Sequence, residues 1–269
     1  MTEDNGSTRG AMRLARRRVG RCLSVWLGLV LLAAPAWAGE REDFLAGRAR
    51  DCLRCELAGV NLKRRDLSGA DLSGANLRQV SLHDARLVGA RLAGADLTGA
   101  NLNKANLSRA DLSGADLHSA MLYAADLDGA KLAGADLTEV LAGTARFTRA
   151  DLSKAVLRNA DLRKARLADT TLAGADLTGA ALDFAFLRGA DLRAAALIET
   201  RLTGTELVEA KLAGANLSGA DALGANLRGA DLSGANLSGT NLRKATLSET
   251  KLDGATFRDT VMPDGTTRP

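Results

Sequence analysis

Aromatic residues are scarce in this chain of 269: five Phe, two Trp and one Tyr, 3% in all. Proline is rarer still, with three residues. A conventional globular core of this length draws more heavily on Phe, Tyr, Trp and Val. The interior expected here is therefore one of small volume, built from Leu and Ala many times over. Three cysteines exclude a disulfide-rich scaffold, and 28 glycines are too few for a collagen-like chain. With 46% hydrophobic residues the chain is not a charged disordered tail either. No single sign of charge dominates, since 36 basic residues face 32 acidic ones for a net charge of +4.

The basic excess sits at the start. Arg13, Arg16, Arg17, Arg18 and Arg21 precede an apolar run from Leu23 to Ala34. Ala36-Trp37-Ala38 then offers small residues at the two positions a signal peptidase reads. The pattern predicts a signal peptide over residues 1–38, cleaved after Ala38. Met12 gives a more conventional signal length than Met1, and both starts stay open. An uncleaved anchor is the alternative, but the run is short for a span of ~20 residues and Pro35 interrupts it. The Arg17-Arg18 pair lacks the apolar residues a twin-arginine signal has just after it. Cys22 precedes the apolar run, so it is not a lipoprotein attachment site. Cleavage removes six basic and two acidic residues, leaving 30 of each and a net charge of zero. Both tryptophans leave as well. The expected location is periplasmic or extracellular, with the membrane met only during export.

From Leu57 onward every fifth residue is apolar without a break in phase, as far as Phe257. Of these 41 centres 37 are Leu, two are Phe (Phe147, Phe257) and two are Ala (Ala142, Ala222). The residue two before each centre is Ala in 31 of 41 cases, otherwise mostly Thr or Val. The residue just before is usually Asp, Asn, Lys or Arg, and Gly is common two after. Neither 3.6 nor 2.0 residues per repeat generates such a pattern, so helix and plain strand both fail. A short-period solenoid remains.

Units such as Ala70-Asp71-Leu72-Ser73-Gly74 and Ala95-Asp96-Leu97-Thr98-Gly99 resemble the A(D/N)LxX signature of the pentapeptide-repeat family. The resemblance covers about 205 residues, from 55 to 259. It implies an all-β fold, a right-handed quadrilateral β-helix of about ten coils, with one pentapeptide per side and four per coil. The centre and the residue two before it then point inward. Leu72, Leu77, Leu97, Leu112, Leu177, Leu192 and Leu232 are expected core residues. Ala142 and Ala222 are the weak points, where a one-residue slip putting Leu141 or Leu223 inward is the competing arrangement. A longer repeat of 40 residues supports four per coil: Lys131-Leu-Ala-Gly-Ala-Asp-Leu recurs in close form at Arg91, Thr171, Lys211 and Lys251. One side then stacks Asp71, Arg91, Asp111 and Lys131 in succession. Opposite charges alternate at ~4.8 Å, which avoids like-charge stacking.

Residues 39–54 lie outside the clear repeat. Glu40 to Arg54 has helix-favouring composition, with Phe44, Leu45 and Leu53 able to cover the first coil as an N-terminal cap. Cys52 and Cys55 sit at this junction. A structural disulfide is the expectation for an exported protein, ahead of a redox-active pair, because no thioredoxin-like βαβ pattern surrounds them. Two thiolates without nearby histidines do not make a zinc site. Residues 260–269 form a tail in which Pro263-Asp264-Gly265 reads as a turn.

Chemistry is sparse. His83 and His118 are seven pentapeptides apart, not a multiple of four, so they occupy different sides and make neither a metal site nor a catalytic pair. The serines after the centres have no histidine in register, and the glycines recur for geometry rather than as a phosphate loop. The expectation is no enzyme, no cofactor and no small-molecule substrate. Quinolone-resistance members of the family resemble a DNA duplex and bind a type II topoisomerase. A neutral mature charge and export both argue against that role here. An envelope thiol–disulfide protein is the third alternative. Nucleic-acid binding is not expected, because the side with Lys63, Lys104, Arg163 and Lys164 also carries Asp84, Asp161 and Asp183. Met121, Tyr123 and Leu141 on one side, with Phe184 and Phe186 at a neighbouring corner, depart from the pattern. A patch for an unknown protein partner, rimmed by Arg163, Lys164 and Arg188, is one reading; drift on a tolerant surface is the other.

Overall fold

The computed structural model describes residues 37–269. The signal segment expected at 1–38 lies outside the described residues, save that Trp37 and Ala38 begin the first helix, α1 (Trp37–Leu45). From Glu56 to Val261 the backbone is tied by single parallel bridges, each joining residues twenty apart: Glu56 to Asn76, Asp71 to Arg91, and so on to Asn241 with Val261. Twenty residues are four pentapeptides, so the chain winds as a four-sided coil. Each side puts the residue before its centre into a ladder. Ladder amides alternate direction: Leu72 donates forward to the Arg91 carbonyl at 2.7 Å, and Arg91 donates back to Ala70 at 2.8 Å.

Corners follow from one torsion. The residue two after each centre has φ between 50° and 70°, and in 21 of the 41 cases it is not glycine. The amide that follows donates to the carbonyl of the centre, as Ala70 does to Leu67 at 3.0 Å. Positive φ at the third residue alone makes this a type II turn. Glycine is common there because other residues give up about 1–2 kcal/mol in that region. The Asp or Asn before the centre ties the side to its corner. Ser113 donates its amide and its hydroxyl to the Asp111 carboxylate, at 3.1 and 2.7 Å. The Ser113 hydroxyl, with its amide, holds Asp111 below the ordinary carboxylate range against the partial burial that pushes it up.

Inside the coil the seven named leucines, Leu72 to Leu232, are fully buried. Ala142 and Ala222 keep the phase: both are buried, while Leu141 is half exposed and Leu223 is only partly covered. The slip therefore does not occur. Val140 and Phe147, both buried, flank the smaller Ala142. Threonine enters the interior with its hydroxyl satisfied: Thr170 donates to the Phe147 carbonyl at 2.7 Å and Thr205 to Leu182 at 2.8 Å. On the charged side the stack runs Asp71, Arg91, Asp111, Lys131 as expected. Of these, only Asp71 and Arg91 close to an ion pair, at 2.5 Å.

The N-terminal end differs from the expected helix over Glu40–Arg54. Helix α1 stops at Leu45 because Gly47, at φ 75°, turns the chain: its amide bonds Phe44 at 3.0 Å and that of Arg48 bonds Asp43 at 2.8 Å. Phe44 is buried and Leu45 packs on the core, but Leu53 is 49% exposed and covers nothing. The ladder already includes Cys52, whose amide donates to Asp71 at 2.8 Å. Cys52 is thus a centre in phase with Leu57, and Leu53 takes the outward position after it. Cys52 and Cys55 both point inward, are buried, and form a disulfide. Arg65 occupies an inward position and meets the end of α1, donating to the carbonyls of Phe44 and Leu45 with its guanidinium 4.6 Å from the Phe44 ring. At the far end β1 (Thr260–Val261) pairs antiparallel with β2 (Thr267–Arg268) across the Pro263-Asp264-Gly265 turn. Arg268 lies 4.0 Å from the Phe257 ring.

Candidate functional site

The two histidines stand on different sides, 35 residues apart in a coil of twenty. Among the described residues no three His, Cys, Asp or Glu side chains gather as a metal ion requires. Also among them, no helix is long and apolar enough to cross a membrane. What stands out is apolar: Tyr123, Leu141, Phe184 and Phe186 are 55, 50, 54 and 48% exposed.

Residues twenty apart stack, so Met121 bridges to Leu141 and Leu141 to Asp161. Tyr123 emerges on the same side, its amide held by the Asn103 side chain at 2.8 Å. Its ring reaches up one level to Gly143, where an added Cβ would lie 3.6 Å from the ring edge. Met121, Tyr123, Leu141 and Gly143 form a shallow depression of about 580 Å³, bordered by Asn103, Arg163 and Lys164. Arg163 is engaged by Asp161 through two hydrogen bonds, at 2.8 and 2.6 Å. Lys164 is exposed.

Phe184 follows the same rule three levels on. Its ring lies along the backbone of Gly204, where a Cβ would come within 2.8 Å of two ring carbons. At +63° the Gly204 φ suits glycine in any case, but the flat seat requires it. Phe184 and Phe186 flank the buried Ala185, so they stand on either side of one corner. Phe186 joins the next ladder, between Arg166 and Glu206. Arg188, expected on the rim, faces Glu209 at 3.4 Å instead. A second depression of about 570 Å³ lies between Arg109 and Arg149 over Gly129, and its lining is polar apart from Val88.

The family model described as pentapeptide repeats matches this chain in eight copies, over residues 55–183, 185–221 and 223–259. The chain belongs to the pentapeptide-repeat family. Its coil is accordingly a right-handed β-helix. Among solved structures it is similar to HetL, a pentapeptide repeat protein involved in heterocyst differentiation regulation from the cyanobacterium Nostoc sp. strain PCC 7120. The identity is 36%, over 86% of this chain and 98% of HetL, with a TM-score of 0.36. QnrB1, a plasmid-mediated fluoroquinolone resistance protein, matches in a trypsin-treated form at 23% identity over 66% of this chain and 91% of its own, TM-score 0.46. A pentapeptide repeat protein of the Arabidopsis thaliana thylakoid lumen matches at 29% identity over 41% and 67%, TM-score 0.21. No curated protein matches the chain.

Sequence reasoning placed the five apolar side chains outward but missed what they rest on. Gly143 and Gly204 each follow an aromatic residue by twenty positions, one full coil. That signal was present once four pentapeptides per coil were adopted. Asn103, which holds the Tyr123 amide, carries no such mark.

Proposed function

We infer that this protein is an exported, non-catalytic pentapeptide-repeat scaffold of the cell envelope, about ten coils long and closed at its N-terminal end by α1. It binds a protein partner through the side bearing Met121, Tyr123 and Leu141 and the corner bearing Phe184 and Phe186. The observation that carries this reading is the seating of the rings. Two large aromatic side chains lie half exposed over glycines, on a surface otherwise made of Asp, Ser, Thr and charged groups. Such a site offers apolar area and rigid side chains to a partner, at ~1.5–3 kcal/mol for each ring fully covered. The neutral charge left after the proposed cleavage does not suit mimicry of DNA. The buried disulfide does not suit exchange with a thiol substrate.

A photocrosslinker in place of Tyr123 tests the proposal in cells. It should give a discrete adduct in the envelope fraction, while the same group in place of the exposed Lys131, on a different side, should not. The chain recovered there should begin at Gly39. Equal labelling from both positions, or an intact chain confined to the cytoplasm, would contradict this function.

A further inference from the structure

The mixed charges beside the aromatic patch have an order that a list of lysines and aspartates conceals. Take the column of residues at the corner after each centre on this side, every twentieth residue about Lys164. Four levels away in the two directions stand Asp84 and Lys244; five levels away stand Arg64 and Asp264. The Pro263 carbonyl accepts the Lys244 amide at 2.9 Å, which keeps the segment before Asp264 in the stack. Nearer the centre the pairing is by size. Two levels away, Ala124 on one hand matches Gly204, covered by the Phe184 ring, on the other. One level away, Thr144 matches Phe184, and in the ladder column Leu141 matches Ala181.

A two-fold axis across this side at the level of Lys164 sets two copies antiparallel. It brings each of these residues against its match. Opposite charges meet at the two outermost levels, Lys104 meets the uncharged Gly224 three levels out, and one level from the axis the larger Phe184 and Leu141 meet Thr144 and Ala181. Pairing the same sides in parallel would set every level against itself, and with the axis along this column it would put Arg64 on Arg64 and Lys244 on Lys244. We propose that this side is a self-complementary interface on which a second copy of the chain docks antiparallel. The proposal rests on reading the aromatic side as a binding surface, and it names the partner. At the axis Asp161, Arg163 and Lys164 each meet their own copy; Asp161 and Arg163 are paired within each chain, which leaves Lys164 as the uncompensated like-charge meeting. A single narrow side predicts a weak dimer, with a dissociation constant on the order of micromolar.

Sedimentation of the purified full chain over a range of concentrations tests the register. Asp84→Lys should weaken the dimer about 10-fold and Lys244→Asp similarly. The double exchange Asp84→Lys with Lys244→Asp should restore it. Lys164→Ser should tighten it several-fold, whereas it would weaken docking of an acidic partner. A chain that stays monomeric at every concentration overturns the proposal, and so does a dimer that the double exchange fails to restore or that Lys164→Ser loosens. If the chain is monomeric yet the Tyr123 crosslinker captures a different protein, the self-pairing fails while the binding surface stands. Adducts at the mass of two chains, lost in the Asp84→Lys variant and regained in the double exchange, support both.

Discussion

Leu177 and Phe184 are seven residues apart and live under opposite rules. Leu177 is one of a column of centres, fully buried, and its place is dictated by the levels above and below. Phe184 stands on the outside, half exposed, in a turn slot that other levels fill with Gly, Lys, Glu or Asn. The interior tolerates little: its departures from Leu and Ala are Ala or Phe at four centres, Val or Thr two before a centre with each Thr hydroxyl bonded to a carbonyl of the preceding coil, and Arg65 and the two cysteines at the N-terminal end. The outside accepts nearly anything that does not oppose the type II turn. A departure inside is therefore a packing solution, and a departure outside is free to carry a function.

The strongest way to break this contrast is a charge. Leu177→Asp buries an unpaired carboxylate between packed rungs, and loss of the cooperative transition or a destabilisation of several kcal/mol is expected. Ala173→Asp, on the outward position one level below Arg193, should change the melting temperature by a degree or two at most. Comparable losses at both positions would mean that inside and outside are misassigned.

The ends sharpen the contrast, because there the interior has no further coil to pack against. Both ends place an arginine on a phenylalanine ring, Arg65 on Phe44 and Arg268 on Phe257. Phe44→Ala should cost about 3–5 kcal/mol, as for other buried aromatic truncations. Hydrogen exchange should show the loss in the first coil, including Cys52 and Leu57, with the middle of the rod still protected. Uniform deprotection along the rod would show instead that the coil melts as one unit. Acid should act only on the outside. Asp111 and Asp231 sit below their ordinary value, chiefly through the hydroxyls of Ser113 and Ser233. Their contribution is fully present above about pH 4 and falls away as pH drops through the lowered folded-state values. Thermal stability should decline below that point, and Ser113→Ala with Ser233→Ala should flatten the decline.

The repeat was legible because a period of five has a single solution in a coil of twenty, and the 40-residue duplication exposed that register as alternating charge. Wherever the period stops, legibility stops too. Cys52 reads as a junction residue because its neighbours Arg50 and Leu53 do not match the pattern, yet its amide is already in the ladder. Arg65 breaks the run of small inward residues, and its reason lies in the carbonyls of α1, twenty residues earlier. The end of α1 was marked by Gly47, but composition alone carried the helix past it. On the aromatic side the rings were visible in the sequence. Their seats were not, since Gly143 and Gly204 look like two more glycines among 28.

The account turns on the claim that the aromatic rings belong to a binding surface and not to the core. Joint replacement Phe184→Ser and Phe186→Ser, followed by thermal melting and by crosslinking from position 123, tests it most directly. The account predicts a melting temperature within a degree or two of the unaltered chain and a clear loss of the crosslinked adduct. A large fall in melting temperature would show that the rings support the fold, and an unchanged adduct would return them to surface drift.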